Sequence, residues 1–117
     1  MATTTQTNPT AAARKGRTQA TEATAVRLAA GCLKMGSDPT RLTILRALAA
    51  GPQNVTALCG VTAQSQPSCS HHLSLLRASG IIEGRRAGHS NFYALTDRGR
   101  ALAAAADPLV ESYRAAR

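Results

Sequence analysis

The stretch SQPSCSHHLSLLRAS, residues 65–79, leaves this chain few folds to choose from. Wound into a helix, it sets Cys69, Leu73 and Leu76 at i, i+4 and i+7, with His72 and Leu75 flanking them, so one side is mostly apolar. Pro67, Ser70, His71, Ser74 and Ala78 fall on the other side, where nothing is long or acidic. Ser65 suits an N-cap. Pro67 has no N–H to offer, so the serine hydroxyl is predicted to accept from the N–H of Ser68. Gly80 stands just past the last periodic residue, where a left-handed helix stop belongs. Small hydroxyls, the Gln66 amide and an imidazole form a surface that a DNA major groove can accept: short hydrogen-bonding groups on a slim helix, with no carboxylate facing phosphate. Taken alone, the stretch also fits an amphipathic helix with a solvated polar face.

The neighbouring segments narrow that choice. A first helix is expected over residues 21–35, with Val26, Leu28, Ala29, Cys32 and Leu33 on or near one side. Gly36-Ser37-Asp38-Pro39 then breaks and restarts the chain, Asp38 as cap and Pro39 at the first helical position. The second helix runs to about residue 50, with Leu42, Leu45, Leu48 and Ala49 inward and Arg41 and Arg46 outward, and Gly51-Pro52 ends it. Asn54 can cap a short third helix over residues 55–63 that buries Val55 and Leu58 beside Cys59. Only a tight turn separates it from Ser65, and two short helices so joined make a helix-turn-helix.

Beyond Gly80 the period changes from helix to strand. Residues 81–86 and 91–95 read as two strands around the loop Ala87-Gly88-His89-Ser90, a wing with Arg85 and Arg86 beside its tip. Its arginines can reach flanking phosphate or the minor groove; a plain solvated hairpin is the alternative. Thr96 caps a last helix, Asp97 favours its positive end, Pro108 kinks or splits it, and Leu109, Val110 and Tyr113 continue an apolar side. The fold class is therefore mainly α with a small β-hairpin: about five helices and a two-stranded wing in one domain over residues 21–117. Residues 1–20, with Arg14, Lys15 and Arg17, read as a disordered basic tail, either touching phosphate or merely solvated.

Charge agrees with a polyanionic partner. Fourteen Lys and Arg stand against six Asp and Glu, a formal +8, which points to double-stranded DNA. No apolar run nears the ~20 residues of a spanning helix, so no membrane partner is expected. The N-terminus lacks the apolar core of a signal peptide, and three cysteines make no disulfide framework, which together predict a reducing, cytoplasmic location. An aromatic content of 3% argues against base-stacking platforms for single strands.

The order DPTRLTILRAL, SQPSCSHHLSLLRASGII, RRAGHSNFYAL resembles the ArsR/SmtB family of winged-helix regulators over about residues 26–106. That resemblance implies a homodimer built from the first and last helices and a repressor that leaves its operator when an inducer binds. The residues themselves add that the end helices carry apolar stripes a domain this small leaves partly unburied. The family's DNA-contact positions map onto Gln66, Ser68, Ser70 and His71, with Arg85, Arg86 and His89 in the wing. Ser74 joins them from the polar face, whereas wheel geometry puts Ser68 on a flank.

Arsenite-responsive members carry a cysteine cluster on the third helix, and here Cys59 alone falls on it, at its last position. Asn54, Val55, Thr56, Ala57 and Leu58 precede it without a thiol. Trivalent arsenic or a soft metal wants two or three thiolates, and Cys32 could supply a second from the same or the partner subunit. The implied inducer is thiophilic: arsenite, a soft metal ion, or an oxidant or reactive sulfur species acting on Cys32 and Cys59. The alternative is a regulator of the same fold without metal or thiol sensing, controlled by its abundance or a protein partner. Cys69 is expected in the core. The last helix has Asp107 and Glu111 but no histidine follows residue 89, so the family's zinc-type set is incomplete.

Two other classes fit poorly. A Cys-His nucleophile built from Cys69 or Cys59 with His71 or His72 lacks a third group to orient the base, so no enzyme is expected. A structural zinc site of Cys59, Cys69 and His72 lacks the paired spacing such sites use.

Overall fold

The structure, a computed structural model, describes residues 21–115; the tail expected over residues 1–20 lies outside them. Among the described residues the elements are α1 (Glu22–Met35), α2 (Pro39–Ala49), β1 (Gln53–Asn54), α3 (Val55–Thr62), α4 (Gln66–Ala78), β2 (Ile82–Ala87), β3 (Ser90–Leu95) and α5 (Asp97–Ala115).

Every helix begins on a side-chain cap. Thr21 accepts from the Thr24 N–H at 3.1 Å, Asp38 from Arg41 at 3.0 Å, Asn54 from Ala57 at 2.8 Å, Ser65 from Ser68 at 3.3 Å and Thr96 from Gly99 at 3.1 Å. Each such cap contributes about 1 kcal/mol. The exits are equally local. Gly80 takes φ +74 after α4, the left-handed conformation its position called for. Ala63 takes φ 57, which stops α3 at Thr62, one residue before the expected end.

Twelve buried residues form the core. Ile44, Leu45 and Leu48 come from α2, Leu58 from α3, and Cys69, Leu73 and Leu76 from α4. Ile81, Ile82, Leu95, Leu102 and Ala103 close it from the sheet and α5. Fully burying one Leu or Ile is worth about 1.5–3 kcal/mol, so the α4 leucines bind their helix firmly to α2 and α3. On α2 the inward set differs from expectation: Ile44 is buried, Leu42 is half-buried and Ala49 is exposed. Ile44, Leu45 and Leu48 share one face at helical spacing, and α2 turns that face to the core, which carries Leu42 and Ala49 to its margin. Arg41, expected outward, is half-buried, because its guanidinium bridges two other elements.

The wing is tighter than the sequence suggested. Ala87 pairs with Ser90, leaving a two-residue turn of Gly88 and His89 in place of a four-residue loop, with Gly88 at φ +62. The sheet also gains a third strand. Gln53 and Asn54 pair with Tyr93 and Phe92, giving the antiparallel order β1-β3-β2 and joining the α2–α3 connection to the wing.

Helices α1 and α5 leave apolar faces uncovered. Helix α1 buries no residue completely, and Val26, Leu28 and Leu33 are 57–62% exposed. Leu109 and Tyr113 on α5 are 62% and 79% exposed. Pro108 does not split α5, which runs through it to Ala115. The carbonyl that loses its helical donor belongs to Ala104, on an exposed face where water can serve it. Arg46 of α2 also pins both sides of the proline, pairing with Asp107 at 3.2 Å and Glu111 at 3.3 Å.

The start of α5 fits against the exit of α4. The Thr96 hydroxyl donates to the Gly80 carbonyl at 2.7 Å, the Thr96 N–H to that of Ile81 at 3.1 Å, and Gly99 lies directly on the Ile81 carbonyl. A Cβ at residue 99 would collide with that backbone oxygen, which cannot rotate away. Gly99→Ala is expected to destabilise the domain by about 3 kcal/mol, read as a lower urea midpoint with an unchanged slope.

Candidate nucleic-acid interface

Helix α4 presents what its sequence promised. Cys69, Leu73 and Leu76 are buried, while Gln66, His71 and Ser74 are exposed and Ser70 is half-buried beside them. The cap geometry explains why the face stays open: Ser65 accepts from the Ser68 N–H, since Pro67 has none, and the helix begins without an acidic residue in its first turn. Ser68 is less available. It is half-buried, and its hydroxyl donates to Gln64 Oε1 at 3.1 Å.

The two histidines diverge because neighbours on a helix point about 100° apart. Their ring centroids stand 5.8 Å apart and the rings are tilted by 58°. His71 is exposed on the polar face. His72 turns back toward α2, its side chain 17% exposed, with Arg41 Nη1 at 3.2 Å and Asp38 Oδ2 at 3.9 Å from its Nδ1. The carboxyl of Asp38 is held below the usual range, chiefly by the hydrogen bond from the Arg41 N–H, which outweighs the opposing effect of burial, with the Arg41 charge a lesser contribution.

The wing stands beside α4 with its cations outward. Arg85, Arg86 and His89 are all exposed. Arg85 pairs with Glu83 at 2.9 Å, and Arg86 Nε donates to the Gly88 carbonyl at 3.3 Å. An ion pair this exposed is worth little and gives way readily to phosphate. Between wing and helix lies a cleft of about 320 Å³ whose lining includes Arg77, Arg85, Arg86 and Asn91. Arg77 and Asn91 were missed from sequence. A basic residue in the last turn of α4 was the available signal for Arg77, and its spatial meeting with the wing was not.

The cysteines occupy different surroundings. Cys69 is fully buried, and burial, with Cys59 beside it as the smaller cause, pushes its thiol up to about 11. Cys59 is half-buried on α3. Cys32 is half-buried on α1 and lines a separate hollow with Leu28, Gly31, Ser79 and Arg98. Among the described residues, no three His, Cys, Asp or Glu side chains gather as metal ligands would, and no helix is long and apolar enough to cross a membrane.

Comparison with known proteins bears on the same residues. The family described as bacterial regulatory protein, arsR family, matches residues 38–83, from the α2 cap into β2. An uncharacterized HTH-type transcriptional regulator of Methanocaldococcus jannaschii is 41% identical over 70 residues, covering 59% of this chain and 79% of the relative. The chain spans 57%, 46% and 55% of three further curated relatives. Among solved structures, the transcriptional repressor BigR from Xylella fastidiosa superposes with a TM-score of 0.65 at 34% identity, over 72% of this chain and 87% of that one. The homodimeric winged helix-turn-helix DNA-binding domain of Mb0332 from Mycobacterium bovis gives 0.67 at 25% identity, over 86% and 93%. The matched segment takes in α2, α3 and the whole of α4, and the chain belongs to the ArsR family of bacterial regulatory proteins.

Proposed function

We propose that the protein is a dimeric transcriptional repressor that reads a two-fold symmetric operator with α4 of each protomer, one duplex turn apart. The observation that carries this reading is the exposed polar face of α4, with Gln66, His71 and Ser74 unobstructed and Arg77, Arg85 and Arg86 beside it. Gln66, Ser70, His71 and Ser74 contact base edges, Ser68 supports the helix entry, and Arg85, Arg86 and His89 hold phosphate. A formal +8 supplies the long-range attraction. This reading carries with it a cytoplasmic location and no catalytic turnover; burial keeps the thiol of Cys69 protonated at neutral pH, which suits a core residue.

If six to eight phosphates are neutralised per dimer, affinity should fall roughly a thousand-fold or more over a fourfold rise in salt. Replacing His71 with Ala should cost about 1–3 kcal/mol on operator and loosen base choice, whereas Arg85→Ala should weaken all duplexes alike. Fluorescence anisotropy on operator and random DNA checks both. Equal losses on the two duplexes for His71→Ala would remove it from base reading.

The dimer is built on the uncovered faces of α1 and α5, with Val26, Leu28, Leu33, Leu109 and Tyr113 at its centre. Leu109→Glu should shift sedimentation to the monomer and lose operator binding by at least ten-fold, since one half-site cannot hold the protein alone. A dimeric Leu109→Glu protein would place the interface elsewhere.

A thiophilic inducer acting on Cys32 and Cys59 is the regulatory reading we favour. Both thiols are half-buried, within reach of solvent but shielded enough to order a ligand. Arsenite, zinc, cadmium, nickel and peroxide titrated into the DNA-bound protein should give release by at least one of them, and Cys32→Ser and Cys59→Ser should each abolish it. Release by none, or release indifferent to both substitutions, selects the regulator without thiol sensing.

A further inference from the structure

Arg41 and His72 are 31 positions apart in the chain, and nothing in the reading of α4 uses either side chain. Yet the guanidinium of Arg41 reaches two elements at once. Its Nε donates to the carbonyl oxygen of Met35 at 2.6 Å, and its Nη1 lies 3.2 Å from His72 Nδ1. Met35 is the last residue of α1, whose carbonyl end carries partial negative charge and favours a cation. An arginine only donates hydrogen bonds and does not give up its proton. A hydrogen bond between the two therefore needs Nδ1 as the bare nitrogen, with the proton of the neutral ring on Nε2.

The same Nδ1 has a second neighbour, Asp38 Oδ2 at 3.9 Å. Asp38 is fixed in place by capping α2 through the Arg41 N–H. The charged and titratable groups facing His72 are thus Arg41 and Asp38 from α2, and His71 from its own helix. A neutral ring accepts from Arg41. A protonated ring carries N–H on Nδ1, opposes the Arg41 N–H, and turns its attraction to Asp38.

We propose that Arg41 is a positioning residue for duplex recognition, which ties the reading helix α4 to the end of α1 through neutral His72. This rests on the reading of α4 given above and adds what sets its presentation. The tie runs from a helix of the exposed apolar face, through α2, to the helix that carries His71. Loss of the acceptor at residue 72, or of the guanidinium at residue 41, releases it and lowers affinity for a cognate duplex.

The test uses a duplex enriched from a randomised library by the wild-type protein, with a scrambled duplex as control. Arg41→Met should bind the enriched duplex about ten-fold more weakly, a typical coupling strength, while the scrambled duplex distinguishes this from a loss of charge that weakens both. His72→Asn puts an amide oxygen where Nδ1 stood and accepts from Arg41 at every pH. It should match wild type on the enriched duplex, whereas His72→Leu, which offers no acceptor, should fall about as far as Arg41→Met. Because Arg41→Met could unfold, nitrogen NMR of the duplex-bound wild type gives an independent reading, with His72 expected as the Nε2–H tautomer. Wild-type affinity for the enriched duplex in a folded His72→Leu, a proton on Nδ1 at neutral pH, or equal losses on both duplexes for a folded Arg41→Met would each overturn the inference. A wild-type protein that enriches no duplex would instead overturn the reading of α4, and the inference with it.

Discussion

The packing of Cys69, Leu73 and Leu76 against Ile44, Leu45, Leu48 and Leu58 decides how the rest of the molecule is presented. Burying those side chains fixes the rotation of α4 about its own axis, and that rotation determines which residues remain outside. A shift of one residue in the apolar pattern would turn a leucine to solvent and bring Ser70 and Ser74, or Ser68 and His72, against the core, at a cost of several kcal/mol for unpaired polar burial. The exposed face is therefore the complement of the core. Cys69 suits its place because a thiol is small and nearly apolar, so the middle of the helix can approach α3 closely.

Much of this was legible because it is local. Caps depend on residues three apart, so Asp38, Asn54, Ser65 and Thr96 announce the starts of four helices, and Gly80 announces the exit of α4. Helical spacing likewise told His72 from His71. What escaped was set by distant partners. Strand β1 is two residues long, too short for any periodicity, and exists because Tyr93 and Phe92 offer it a ladder. Arg41 looked solvated on its own helix because its two partners lie on α1 and α4. The choice of Ile44 over Ala49 for the core depends on which face α2 turns inward, and a single-helix wheel does not resolve that.

The site was legible to the same degree and for the same reason. A polar face on one helix can be read from spacing, so the exposure of Gln66, His71 and Ser74 was foreseen. The hydroxyl of Ser68 was harder to place, because its acceptor Gln64 sits before the helix begins. Arg77 was invisible as part of the interface until the wing was folded next to it. For the thiols, sequence set Cys32 and Cys59 in parallel, while the fold gives Cys59 the nearer neighbour Cys69.

The pairing of β1 with only the inner rungs of β3 divides the wing mechanically. At its root, beside Tyr93 and Phe92, the sheet is three strands wide; toward Gly88 and His89 it narrows to two. Two strands alone are marginal in water, so stiffness drops along the hairpin from base to end. The wing is a cantilever: a clamped base sharing its ladder with the start of α3, and a compliant end carrying Arg86 and His89. Such a beam lets its terminal cations shift against a partner surface without transmitting that strain to the leucines beneath α4.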